Sequence, residues 1–541
     1  MFLLTLFLLW FNRKIFFNLF KNINRTVAVI LLLLVVTFSL ICIFKGFNFR
    51  SFIPSDQEWE ILKQAKGLVM GEQTFAHLRY GLVYPLLLSS GFKVFGFNPL
   101  VASIINLILT IFSILLVFAL SQAVFKNSKI SLLSAFIYAF TPLVFVFTSL
   151  QMGFPTIVTF FLLFFALASV LYFQHHKTSL LVLSLLLIAL TSQVKPEYFI
   201  LIIPFGLCFL FFKEYKRISL KKILALVILF LIFSTPYFVK NAQFKESFSS
   251  EWCGYPSQTF YEGKKHSYSL PVADQLDKVL KFLANNRFSV SYLIYDLPNF
   301  AKFWTFRSFI FISILILIGI LFGYREHKKE YLYFLLVFFS ISFLYLADCA
   351  FFEARYAIPT YGLAVIFAGF GLNFASEKIT QFTKYRHLFK NILLIMIVLS
   401  IGLYWYLNDY RPHLFEKSYH DYLFVKRTIV DDYSRLKNIF EGIPIDNVNL
   451  IVVHPNEEKI LRFLGYQAIA LVNIESLHRI DKYDPETAEL PLSLTKDNYF
   501  IQSWHCQTLI ELKNLCNFVT ENYPLKLEKK IAKDKLYSFV R

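Results

Sequence analysis

Residues 98–125 read NPLVASIINLILTIFSILLVFALSQAVF, a run of 28 positions without a charged side chain. About 20 apolar residues in helical form cross a hydrocarbon core of about 30 Å, so this segment predicts a membrane span by itself. Outward from it, apolar runs recur at Thr26–Phe44, Ile130–Ser149, Pro155–Phe173, Ser179–Val194, Tyr198–Phe212, Ile223–Val239, Phe306–Gly323, Tyr331–Cys349, Tyr356–Phe374 and Ile392–Leu407. Together they predict a polytopic α-helical membrane protein of about 11 transmembrane helices. Composition agrees, since 57% of the 541 residues are hydrophobic and 17% are charged, where a soluble domain carries about one quarter charged residues. A soluble protein is excluded.

After Asn408 the sequence takes on ordinary globular texture, which divides the chain into a membrane part, 1–407, and a polar domain, 408–541. The polar domain holds 18 basic and 19 acidic residues, so the net charge of +18 belongs to the membrane part. Basic loops between apolar spans report orientation and contact with anionic membrane lipids, and no nucleic-acid partner is expected. Nineteen basic residues fall on one side of the span count, in the clusters Arg13–Arg25, Lys126/Lys129, Lys177, Lys213–Lys222, Arg325–Lys329 and Lys378–Lys390. The short loops opposite carry only Lys195 and Arg355. The positive-inside rule makes the basic side cytoplasmic, as in a multi-pass plasma or inner-membrane protein with a cytoplasmic N-terminus. The odd span number then puts the polar domain outside with two long loops, 45–97 and 240–305. Met1–Trp10 is apolar and precedes Arg13 and Lys14, the reverse of a signal peptide, and is expected at the membrane interface.

Within the polar domain, buried-strand patterns at Val448–Val453, Ala468–Val472 and Tyr499–Gln502, helices at Pro455–Leu464 and Gln507–Phe518, and a hairpin of Leu525–Ile531 with Leu536–Val540 predict a small α/β fold. Cys506 and Cys516 stand ten residues apart there. Outside the cell they can be either oxidised to a disulfide or free thiols. No clustered ligand set marks a divalent metal or another cofactor, and no P-loop marks ATP.

The chemistry-bearing stretch is the first outer loop. Pro54-Ser55-Asp56-Gln57-Glu58-Trp59-Glu60 leads into a helical pattern whose apolar residues Ile61, Leu62, Ala65, Leu68 and Val69 share a face, expected to lie along the membrane surface. Ser55-x-x-Glu58 is a capping box, and acids in a first turn complement the helix dipole. The other reading makes Asp56 a general base at the water–lipid boundary, where transfer to a hydroxyl needs a carboxylate to take its proton. The two are compatible, with Glu58 capping and Asp56 free to act.

The segments Asp56–Leu68, His77-Leu78-Arg79-Tyr80-Gly81-Leu82-Val83-Tyr84-Pro85 and Phe95-Gly96-Phe97-Asn98 resemble the first loop of the GT-C glycosyltransferases, among them protein O-mannosyltransferases and lipid A aminoarabinose transferases. Further along, Thr191-Ser192-Gln193-Val194-Lys195-Pro196-Glu197 resembles that superfamily's Thr-Arg-Pro-Glu motif. Pro236-Tyr237-Phe238-Val239-Lys240-Asn241 resembles its Pro-Trp-x-x-Arg-Asn, and Arg355-Tyr356-Ala357-Ile358-Pro359 its Arg-Tyr-x-x-Pro. The chain departs from the pattern in spacing its acids as Asp56-Gln57-Glu58, in Tyr80-Gly81 where the superfamily has two prolines, and in the lysines Lys195 and Lys240. Lysine keeps the charge and loses the bidentate fork of arginine.

The resemblance implies an inverting transfer of a sugar from a polyprenyl-phosphate donor to a lipid, glycan or protein acceptor outside the cell. It assigns Asp56 or Glu58 as the catalytic carboxylate. Arg79, Tyr84, Lys195, Glu197, Lys240, Arg355 and Tyr356 become substrate-binding candidates, the cations standing where a leaving phosphate gains charge. Ordinary interfacial snorkelling, or neutralisation by Glu197 and Glu353, accounts for the same cations. The alternative class, a transporter or flippase for a lipid-linked or anionic substrate, calls for internal repeats and broken helices with mid-membrane ionisable groups, which the sequence does not display.

Overall fold

The computed structural model describes residues 2–21, 24–43, 56–72, 81–97, 100–141, 144, 148, 154–244, 310–324, 328–347, 354–381, 439–440, 443, 448–452, 461, 467–471, 497–502, 506, 510–531 and 534–539. Two compact units divide the chain: Met1–Gly46 with Gln64–Ser418, and Phe47–Lys63 with Tyr419–Arg541.

The first unit is helical. It begins with α1 (Phe2–Phe11), α2 (Arg13–Lys21) and α3 (Arg25–Ile41), then takes in the part of α4 (Asp56–Met70) from Gln64 on, α5 (Val83–Phe95), α6 (Leu100–Phe125) and α7 (Ser128–Phe140). There follow α8 (Phe154–His175), α9 (Thr178–Val194), a 3-10 stretch (Pro196–Leu201), α10 (Ile202–Phe211) and α11 (Leu220–Phe244). The last described are α12 (Ile310–Gly323), α13 (Lys328–Ala347) and α14 (Ala354–Thr380). Each expected span from Thr26 to Phe374 thus meets a helix, while Ile392–Leu407 lies outside the described residues. The segments Val101–Phe125, Pro155–His175 and Ile358–Thr380 are each long and apolar enough to cross a membrane unaided. This is an integral membrane protein.

Helices α6, α7, α8 and α14 pack together as the centre of the unit. Lipid tails give no hydrophobic drive to bring apolar helices together, so small residues and polar side chains must do it. A Cβ at Gly319 of α12 would collide with the carbonyl of Phe367 in α14, and one at Gly371 of α14 with the carbonyl of Leu315. Glycine at both lets these backbones touch. Buried hydroxyls supply bonds between helices: Thr141 Oγ1 with Tyr361 Oη at 2.6 Å, and Thr110 Oγ1 with Thr148 Oγ1 at 2.8 Å. At the periphery Leu224, Val227 and Leu231 of α11, and Phe311, Ile314, Leu317 and Leu321 of α12, form exposed apolar stripes at helical spacing. Such stripes suit a lipid-facing surface.

Three expectations are corrected. The span expected at Ile130–Ser149 is not one continuous helix: α7 stops at Phe140 and Thr141 is extended (φ −67°, ψ 127°), because the residue before a proline, here Pro142, is disfavoured in the α region. Lys240 was expected in the second outer loop, yet α11 continues to Phe244 with no glycine or proline after Pro236 to stop it. The span expected from Tyr198 opens as 3-10 helix at Pro196, which lacks the N–H that would continue α9.

The basic connections gather at one end of the unit. Ser179 Oγ donates to Asn12 Oδ1 at 2.8 Å, and Gln174 Nε2 to the carbonyl of Ala123 at 2.8 Å and to Glu330 at 3.5 Å. Glu214, one of the few acids on that side, is buried, with His176 Nδ1 at 2.9 Å and Tyr172 Oη donating at 3.4 Å.

In the second unit, β1 (Val448–Val452), β2 (Gln467–Ala470), β3 (Asp497–Gln502), β4 (Leu525–Ile531) and β5 (Asp534–Phe539) form one sheet in the order β2-β1-β3-β5-β4. β1 is parallel to β2 and β3, while β5 is antiparallel to β3 and β4, the latter pair closing the expected hairpin. Helix α15 (Ile510–Asn522) lies between β3 and β4 in sequence. Its Leu515, Cys516 and Val519 pack with Ile451 and Phe500 of the sheet in one apolar core. Of the helix expected at Pro455–Leu464 only Leu461 is described. Cys506 and Cys516 are joined as a disulfide, their Cα atoms 5.9 Å apart.

Candidate active site

Tyr84 enters α5 in its first turn and is fully buried. Its hydroxyl donates to Asn106 Oδ1 of α6 at 3.2 Å, a buried bond 22 residues apart in sequence. Just before α5, Gly81 presses on the last turn of α9, where an added Cβ would meet the carbonyl oxygens of Gln193 and Val194, the latter at 2.6 Å. No residue with a side chain fits there without separating the two segments. Thus Gly81, which with Tyr80 stands where the resembled motif has two prolines, is the point where this segment docks on α9.

Lys195 follows at the C-cap of α9, extended (φ −142°), its N–H bonded to the carbonyl of Thr191 at 3.0 Å. Pro196 and Glu197 open the 3-10 stretch. From the same last turn of α9, Gln193 Nε2 donates to the carbonyl of Phe233 in α11 at 2.6 Å. Phe233 stands three residues before Pro236 and seven before Lys240. The backbone contacts therefore bring together three segments: the turn at Gly81–Tyr84, the corner Gln193–Glu197, and the part of α11 that leads to Lys240.

Asp56 and Glu58 are the first and third residues of α4. The apolar face read from the sequence is buried in the protein at Ile61, Leu62 and Ala65, where the expectation placed it against the membrane surface. Farther along α4, Lys66 Nζ lies 5.4 Å from the centre of the Phe97 ring. Burial lowers the pKa of its amine, and Glu72 acts in the opposite direction. Arg355 and Tyr356 stand in the first turn of α14, with Pro359 one turn on. That helix packs on α7, α8 and α12. Arg79 lies outside the described residues.

Sequence reasoning passed over Asn106 and Gln193. The signal was present in both, since an amide side chain inside an apolar span is costly and rarely idle.

A sequence model of the dolichyl-phosphate-mannose-protein mannosyltransferase family matches residues 80–238. In fold, the chain is similar to ArnT from Cupriavidus metallidurans, solved bound to undecaprenyl phosphate, with a TM-score of 0.55 at 10% identity over 94% of this chain and 98% of that one. It is similar also to the oligosaccharyltransferase AglB of Archaeoglobus fulgidus, solved with an inhibitory peptide and a dolichol-phosphate, with a TM-score of 0.54 at 12% identity over 96% of this chain and 74% of that one. The chain has the GT-C fold. No curated protein matches it in sequence.

Within the chain the family match begins at Tyr80 and ends at Phe238. It therefore takes in Gly81, Tyr84, Asn106, Gln193, Lys195 and Phe233, the residues whose contacts define the convergence, and Glu197 beside them.

Proposed function

We propose that the protein is a membrane glycosyltransferase that transfers a sugar from a polyprenyl-phosphate-linked donor to an extracytoplasmic acceptor, a lipid, glycan or protein. The observation that carries this reading is the family match over residues 80–238, within which the corner Gln193–Glu197 begins at the docking point of Gly81. The lipid phosphates in the ArnT and AglB complexes support a donor of the same chemistry.

In this reading a carboxylate, Asp56 or Glu58, takes the proton of the acceptor hydroxyl as its oxygen bonds to the anomeric carbon from the face opposite the leaving group. The bond from that carbon to the phosphate oxygen breaks, and the electron pair stays on the phosphate. The configuration inverts. Negative charge grows on the lipid phosphate as the bond lengthens, so fixed cations beside it stabilise the transition state more than the bound donor. Lys195 and Lys240 are assigned that role, with Arg79 and Arg355 as further cations, Tyr84 and Tyr356 shaping the donor pocket, and Glu197 orienting Lys195.

The charge count assigns the basic end to the cytoplasm, and with it the reaction and residues 408–541 to the outside. The Cys506–Cys516 disulfide supports that side, because disulfides persist in oxidising compartments.

The test is transfer of radiolabelled sugar from polyprenyl-phosphate donors by the reconstituted protein, wild type against Asp56→Asn and Glu58→Gln. Removing a general base costs about 10²–10⁴ in rate, so one of the two folded variants loses transfer on that scale. If both retain wild-type rates, the base assignment is wrong.

A further inference from the structure

Gln193 is buried, with 4% of its surface exposed, and is an uncharged residue in the midst of proposed charged ones. Its carboxamide crosses from α9 to α11, where Nε2 donates to the carbonyl of Phe233 at 2.6 Å. Three residues later comes Pro236, the proline inside α11. A proline in a helix removes a backbone bond and kinks the axis, and within a membrane neighbouring helices make good the backbone groups so disturbed. The carbonyl that Pro236 leaves without an N–H partner is that of Ile232, four residues back; Gln193 binds the next one, Phe233, and so ties α11 to α9 just before the proline.

The backbone of the same residue is held from the other side, because Gly81 sits directly on the carbonyls of Gln193 and Val194. One residue thus joins three chain segments, and each leads to a cation. Arg79 is two residues before Gly81, Lys195 two residues after Gln193, and Lys240 seven residues after Phe233. The last interval is a helical rise of roughly 10 Å, so a small change of angle at Pro236 is a displacement at Lys240.

We propose that Gln193 is a positioning residue that sets the spacing between Lys195 and Lys240 at the donor's phosphate, a role that rests on the glycosyltransferase reading above. With the amide bond in place, the segment of α11 beyond Pro236 is held against the corner of α9. Without it, the two lysines separate, and attraction for one shared phosphate weakens with distance.

The experiment measures donor and acceptor KM in reconstituted vesicles for wild type, Gln193→Met and Gln193→His. Methionine keeps the length and loses the donor; histidine keeps an N–H near the same reach. The methionine variant is expected to raise donor KM about tenfold, the scale of one hydrogen bond, with acceptor KM unchanged and the histidine variant close to wild type. A merely structural role would lower the amount of folded protein and leave the KM of the folded fraction alone. If Gln193→Met does not fold, Gln193→Asn, one methylene too short to reach Phe233, is expected to give the same rise. Active wild type with unchanged donor KM in the folded variants overturns the role of Gln193 alone. Wild type that uses no polyprenyl-phosphate donor overturns the function itself, and with it this role.

Discussion

Inside a lipid-embedded bundle a hydroxyl has no water to turn to, so a buried one is stabilised where it finds a partner in the protein. Tyr84 finds Asn106, and the bond ties the start of α5 to the second turn of α6. Replacing Tyr84 by phenylalanine leaves the Asn106 carboxamide short of a donor, at a cost of about 1 kcal/mol. The variant should therefore lose folded monomer at a lower temperature in detergent than wild type does, and an unchanged melting profile would show the bond to be idle. Gly81 and Gln193 act on the same corner by shape and by direction. The charged residues there were legible from sequence as members of a motif. Gln193 was not, because its meaning depends on Phe233, 40 residues away, and no spacing rule connects them.

At the scale of elements, the spans were legible because long apolar runs leave a mark that survives any packing detail. Helix ends were harder. Pro142 carried the signal that stops α7, but the apolar run beyond it hid the break. Lys240 looked like loop because charge and amides follow it, and α11 runs through them to Phe244. The strands of the polar domain were legible from β-rich runs between turn residues. Their order was not, since the position of β3 between a parallel and an antiparallel neighbour depends on connections rather than on local pattern. The disulfide was left open by spacing, which fixes no geometry. The intact protein denatured without reductant should leave Cys506 and Cys516 unlabelled by iodoacetamide while Cys42 and Cys208, free and buried, react. Labelling of Cys506 and Cys516 as well would mean that the polar domain is reduced in the cell and would argue against its outer location.

For the whole molecule, a GT-C fold carries, at one end of its helical unit, the contacts of Gly81, Gln193 and Phe233 that hold three segments together. Basic connections, with Glu214 buried among them, occupy the other end. Such polarity suits an enzyme that works on one membrane face and anchors by the other. The fold class was legible from sequence, the reaction class through resemblance in scattered motifs, and the arrangement of the site only through contacts between distant helices. The most direct test supplies purified wild-type protein in vesicles with radiolabelled polyprenyl-phosphate sugars and lipid, glycan and peptide acceptors. The account predicts labelled product from at least one donor, with inverted anomeric configuration and loss of the product in the Asp56→Asn or Glu58→Gln variant. Folded wild type that moves no sugar from any donor, or that carries an intact lipid-linked sugar across the bilayer instead, would contradict it.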